Sequence, residues 1–170
     1  ETHVGIRHGE LPPGDGLGQL NCRGLNRALA LPKLLTGRYG KPDYIFAASP
    51  AMKARSPYSY VRPLMTIEPT AIWLKMPVKT QIGEVDVPLL QQVLTSPTYQ
   101  DSLIFIAWEH GNLDLLAKNL VKAYGGDPSI VPGWPGPDMD SIFVIRLTRH
   151  GDRTSVTFKH DHQNLTDHLS

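Results

Sequence analysis

Cysteine is almost missing from this 170-residue chain, where Cys22 stands alone. An internal disulfide and a cysteine-built zinc site are therefore excluded, and cysteine usage leaves the redox compartment open. Long hydrophobic runs are missing as well. "LIFIAW", Leu103 to Trp108, falls far short of the roughly 20 apolar residues that a membrane-spanning helix needs, so no membrane span is expected. An excess of either charge is also absent, since 17 Lys and Arg face 16 Asp and Glu, for a net charge of +1. That balance argues against a nucleic-acid footprint across the surface and leaves room only for a local basic pocket that takes a small anion. No repeat, linker or low-complexity block divides the sequence, and 41% apolar residues are ordinary for a globular protein. The expectation is a single domain over residues 1–170. The chain opens at Glu1 and enters a strand-like run at once, as a trimmed or processed product would, so the expectation is a soluble protein, cytoplasmic or exported after processing.

What is present is an alternation of β-prone runs with helical periodicities. It predicts an α/β fold in three layers, a mainly parallel central sheet with helices on both faces. Strands are expected at "THVGIR", "DYIFAAS", "LIFIAWE", "SIFVIRLT" and "TSVTFKH". "LNCRGLNRALALPKLL" reads as a helix with Asn21 as its N-cap and Pro32 as the point where it kinks or ends. "NLDLLAKNLVKAY" reads as a second helix stopped by Gly125 and Gly126. "VPLLQQVL" is a third, and a shorter, proline-bounded helix is expected through "RPLMTIEPTAIWL". "GGDPSIVPGWPGPDMD" reads as a long surface loop.

One tripeptide occurs twice, in "IRHGE" (Ile6 to Glu10) and in "TRHGD" (Thr148 to Asp152). The second copy lies between two β-prone runs and is explained by a hairpin turn in which Gly151 supplies the positive φ. The first ends a short apolar strand and leads into a glycine-rich loop and a helix, and in open α/β sheets ligands bind at such carboxyl ends. Guanidinium offers fork-like donors to a phosphate, and imidazole can attack phosphorus. Neighbours on a regular strand point to opposite faces, so Arg7 and His8 can serve one site only where the strand has ended.

With "IRHGE" as the first landmark, the sequence resembles the histidine phosphatase superfamily, the phosphoglycerate-mutase-like group. The family's LTxxGxxQAxxL helix has its counterpart in "LNCRGLNRALAL", with Leu20, Gly24, Ala28 and Leu31 in register and Asn21 where threonine is common. A strand ending in serine-proline is matched by Ser49-Pro50, the RAxxTAE pattern by Arg62, Thr66 and Glu68, and the second histidine with its small neighbour by His110 and Gly111. The family's second arginine stands four residues after that serine, where this chain has Lys53. Arg62 is favoured here because Thr66 and Glu68 keep the family spacing from it, and Arg55 is its rival.

The resemblance implies a metal-independent phosphatase without a cofactor. His8 would form a phosphohistidine, with Arg7, Arg62 and His110 around the phosphoryl group and Asn21 and Gly111 adding phosphate contacts. A carboxyl must protonate the leaving alcohol, and Glu84 and Asp86 in "QIGEVDVP" are candidates beside Glu109. The substrate would be a phosphorylated small metabolite or a phosphoprotein. A mutase-type phosphotransferase and a non-catalytic phospholigand-binding protein of the same fold are the alternatives. His160 and His162 in "KHDH" have the spacing to share one strand face and hold a metal with an acid, against the plainer reading of a solvated tail. Trp108, Trp134 and Tyr58 are read first as core or loop anchors.

Overall fold

A computed structural model describes residues 1–14, 17–52 and 57–170 of the chain. Its elements are β1 (Thr2–Arg7), α1 (Cys22–Tyr39), β2 (Tyr44–Ala47), α2 (Arg62–Leu74), α3 (Val87–Leu94), β3 (Leu103–Trp108), α4 (His110–Ala123), β4 (Ser141–His150) and β5 (Arg153–His162). The five strands form one sheet in the order β2-β3-β1-β4-β5. β1 and β2 each pair with β3 in parallel, whereas β4 is antiparallel to both β1 and β5. Four strands therefore run one way and β4 alone runs against them, so the expected mainly parallel sheet is present. Among the described residues no helix is long and apolar enough to cross a membrane.

Alternation along the buried strands separates the two faces. Ile104, Ile106 and Trp108 of β3 join Phe46 and Phe143 under α3 and α4, which contribute Leu90, Leu94, Leu113, Leu116 and Leu120. Phe105 and Ala107 face the other way, with Val4, Ile6 and Val144, and are covered by Leu31 and Leu35 of α1 and Ile67 and Ala71 of α2. These are the three layers anticipated from the sequence. The five strand positions also agree, as does the Asn21 N-cap, which accepts a hydrogen bond from the Gly24 amide at 2.8 Å; Asp86, expected only as a proton-donor candidate, caps α3 through the Leu89 amide. The second RHG copy forms the β4–β5 turn, with Gly151 at φ +61° and His150 opposite Arg153.

Three local expectations are corrected. Pro32 does not end α1, which runs on to Tyr39. A proline inside a helix costs about 3 kcal/mol, but stopping there would strip the buried Leu35 from the face that also buries Ala28 and Leu31. The proline-bounded helix is the longer one, 13 residues against the eight of α3, because Pro63 sits in the first turn where no amide donor is needed and Pro69 is accommodated inside. The segment 125–140 is only partly a surface loop. Val131 and Trp134 are buried, and Trp134 packs on Phe143 with ring centroids 4.4 Å apart.

Candidate active site

A cleft of about 530 Å³ opens at the carboxyl edge of the parallel strands, where the polarity of an α/β sheet places ligands. Arg7 is the last residue of β1 and His8 lies just beyond it, so both escape strand alternation and line the same cleft. The chain leaves the strand through Gly9. Its amide donates to Thr66 Oγ1 at 2.9 Å, and that hydroxyl donates to the Arg62 carbonyl at 2.8 Å, which ties the catalytic-candidate loop to the first turn of α2. A Cβ on Gly9 would meet the backbone of Gly24 at 3.1 Å, and one on Gly24 would collide with the Glu10 carbonyl, so loop and α1 touch backbone to backbone. This contact requires glycine at position 24 and leaves a side chain at position 9 only a tight fit.

The His8 side chain is buried, and its Nδ1 is 2.8 Å from the Gly9 carbonyl oxygen. A carbonyl only accepts, so Nδ1 carries the proton and Nε2 keeps its lone pair. Burial, above all, pushes the His8 pKa down to about 3; the nearby positive charges of Arg7 and Arg62 and the His110 ring act in the same direction, against the Gly9 hydrogen bond. The imidazole is thus neutral at physiological pH. An unfolded histidine titrates near 6.5, so between about pH 6.5 and 3 the unfolded chain binds the extra proton and folding stability falls as pH falls. His8→Gln should therefore flatten that loss, by on the order of 2 kcal/mol at pH 4.5. Urea midpoints at pH 7, 5.5 and 4.5 measure it, and parallel slopes for variant and parent would contradict the assignment.

Two guanidiniums flank the ring. Arg7 is nearly buried; its Nη1 donates to the carbonyls of Gly136 and Asp138, the latter at 3.3 Å, and its Nε finds no acceptor among the described residues. Burial lowers its pKa from the usual arginine value, partly offset by Glu109. Arg62 opens α2, with its Cζ 4.9 Å from the centre of the Tyr60 ring, and its Nε and Nη1 are buried without an acceptor among the described residues. The Tyr60 hydroxyl is in the same condition, and its ring meets that of His8 edge-on at 6.0 Å. Buried donors of this kind are rare in folded proteins and call for a ligand or a water.

The opposite wall is the first turn of α4. β3 ends at Trp108, so His110 opens the helix instead of closing the strand, and it lines the cleft with Gly111 and Asn112. Glu109 is the N-cap. Its carboxylate accepts from the amides of Gly111 and Asn112 at 2.9 and 2.8 Å and comes within 2.8 Å of His110 Nδ1. Glu84 is buried in the cleft wall rather than solvated, with Oε2 accepting from Asn112 Nδ2 at 2.6 Å and its carbonyl accepting from Trp108 Nε1 at 2.8 Å. The cleft thus gathers Arg7, His8, Arg62, Glu84, Glu109, His110 and Gly111.

Other anticipated residues stand elsewhere. Asn21 is not among the lining residues; Oδ1 caps α1 and Nδ2 donates to the Leu11 carbonyl, so both ends of its amide serve the backbone. Asp86 is exposed and engaged as the α3 cap. Lys53 and Arg55 lie outside the described residues. Trp108 and Trp134 are core, whereas Tyr58 lines the cleft. The His160 and His162 rings lie tilted to each other with centroids 4.6 Å apart, and His160 Nε2 lies 2.7 Å from Ser141 Oγ. Among the described residues no three His, Cys, Asp or Glu side chains are grouped as a metal site. Sequence reasoning missed Tyr60, Asn112 and the Gly136 and Asp138 carbonyls. Only Tyr60, two residues before Arg62, carried a local signal.

No protein-family model and no curated protein matches the sequence. The fold does match solved structures. A candidate phosphohistidine phosphatase SixA from Nakamurella multipartitia superimposes with a TM-score of 0.62 at 15% identity, covering 95% of each chain. The mycobacterial glucosyl-3-phosphoglycerate phosphatase complexed with VO3 gives 0.61 at 13% identity, covering 93% of this chain and 97% of that one. A phosphoserine phosphatase from Entamoeba histolytica, bound to 3-phosphoglyceric acid, gives 0.57 at 12% identity over 95% and 98%. The chain therefore shares the fold of these solved phosphatases.

Proposed function

We propose that this chain is a phosphatase that hydrolyses phosphomonoesters through a phosphohistidine on His8. The observation that carries this reading is a neutral, buried imidazole with its Nδ1 proton engaged by Gly9, flanked by Arg7 Nε and by Arg62 Nε and Nη1, which have no acceptor among the described residues. The Nε2 lone pair attacks phosphorus and the ester P–O bond breaks, its electrons leaving on the alcohol oxygen. Glu84, protonated, gives that oxygen its proton. Water then attacks the phosphohistidine, Glu84 takes the proton back, and the P–N bond breaks to restore the Nε2 lone pair and release inorganic phosphate. Arg7, Arg62 and His110 meet the charge on the equatorial oxygens, the main task in phosphoryl transfer. The first turn of α4 contributes through His110, since the Gly111 amide is already engaged by the Glu109 carboxylate.

Steady-state phosphate release from 4-nitrophenyl phosphate tests the reading, with the release expected to survive exhaustive chelation. Rapid quench should trap an acid-labile, base-stable phosphoenzyme. Stoichiometric phosphate binding without turnover would favour a non-catalytic phospholigand-binding protein, and a strict requirement for zinc or magnesium would overturn the mechanism.

Glu84 is placed as the proton donor because it is the buried carboxylate of the cleft wall, while Glu109 already caps α4 with both oxygens. Glu84→Gln should slow an alkyl phosphate by about a hundredfold or more and 4-nitrophenyl phosphate far less, since that phenolate departs with little need of a proton. Equal slowing of both esters would move the role to Glu109.

A further inference from the structure

The cleft is far larger than a phosphoryl group needs, and its volume lies in the range that holds drug-sized ligands. Its charges are not evenly spread. Arg7 and Arg62 flank His8, and the two carboxylates, Glu84 and Glu109, belong to the same inner wall region with His110. The mouth is different. Leu11, Tyr58 and Val85 line it from three separate loops, with Val85 68% and Tyr58 51% exposed. Gly14 and Gly18 complete that side and add no polar side chain. The loops brace one another. A Cβ on Gly18 would clash with the Ser59 carbonyl, and Gly83, two residues before Val85, packs on the Met52 side chain with only 3.0 Å to spare for a Cβ. A single exposed valine needs no explanation. Apolar side chains converging from three loops on the mouth of a charged cleft do.

We infer that the leaving group of the preferred substrate is an uncharged, apolar or aromatic alcohol, seated on Leu11, Tyr58 and Val85. The inference rests on the phosphatase reading above. Beyond the phosphate, an apolar moiety would remove the collar from water, whereas a carboxylate on the alcohol would share the cleft with Glu84 and Glu109.

Three esters whose alcohols have similar basicity separate these cases: n-hexyl phosphate, glycerol 3-phosphate and 3-phosphoglycerate. The kcat/KM for n-hexyl phosphate should exceed that for glycerol 3-phosphate by about tenfold or more, with 3-phosphoglycerate the poorest. Val85→Lys should narrow the ratio of n-hexyl phosphate to 3-phosphoglycerate by about tenfold, and Val85→Leu should keep it. A rate for 3-phosphoglycerate equal to or above that for n-hexyl phosphate would overturn the inference while leaving the phosphatase reading intact. So would a ratio untouched by Val85→Lys. Failure to turn over any ester, 4-nitrophenyl phosphate included, would strike the phosphatase reading itself, and equilibrium binding of the three esters would then decide the collar's preference by the same ranking.

Discussion

His8→Ala abolishes phosphate release, by three orders of magnitude or more, and His150→Ala leaves it within about twofold of the parent. The two histidines sit in the same tripeptide, so the contrast isolates position from sequence. His8 lies past the carboxyl end of β1, buried, neutral and with Nδ1 committed to Gly9. His150 is exposed at the end of β4, beyond the register in which Arg146 faces Thr2, and so at the opposite edge of the sheet. Release rates for the two purified variants, with 4-nitrophenyl phosphate as substrate, give the comparison. Equal losses would overturn the assignment of the nucleophile.

Arg62→Ala is expected to lower kcat/KM by a hundredfold or more, the loss typical of removing one donor from a preorganised oxyanion site. Its guanidinium is already packed over Tyr60 with two nitrogens buried and without acceptors among the described residues, so little ordering remains for substrate to induce. Arg62→Lys should recover only a small part of the loss, because an ammonium cannot reproduce the planar fork. Thermal unfolding of Arg62→Ala should stay near the parent value, since no described carboxylate depends on that guanidinium. Arg55→Ala should remain close to the parent in activity. If Arg55→Ala were crippled and Arg62→Ala active, the phosphate arm would belong to the loop after Ser49-Pro50.

Much of this arrangement was legible in the sequence where a local rule sufficed. The five β-prone runs, the cap at Asn21, and the turn at Gly151 each obey a rule spanning a few residues. Pro32 does not stop α1 because its local penalty competes with burial of Leu35 one turn later, a tertiary contribution that no local rule contains. The segment after Gly125 was misread because its composition is that of a loop, while its role depends on contacts across the fold: Trp134 enters the core beside Phe143, and two of its carbonyls reach back to Arg7. Glu84 was legible as a carboxylate and not as a buried one, since its burial comes from Asn112 and Trp108, far along the chain. Asn21, conversely, stood in the right motif but had both ends of its amide claimed by neighbouring backbone.

The lone reversed strand gives the arginine at the end of β1 an unusual dependence. Because β4 runs against β1, the chain arrives at β4 on the same side of the sheet from which β1 departs, and it is this approach segment, residues 136–138, that grips Arg7. The crossover units of the parallel strands supply the nucleophile, the second arginine and the α4 turn. The aim of Arg7 is set instead by peptide carbonyls, whose position depends on backbone path and not on side-chain identity. Substitutions along 136–138 can thus drift while the grip persists, and a change in the length of that short run would misdirect Arg7 without altering a single residue of the RHG tripeptide.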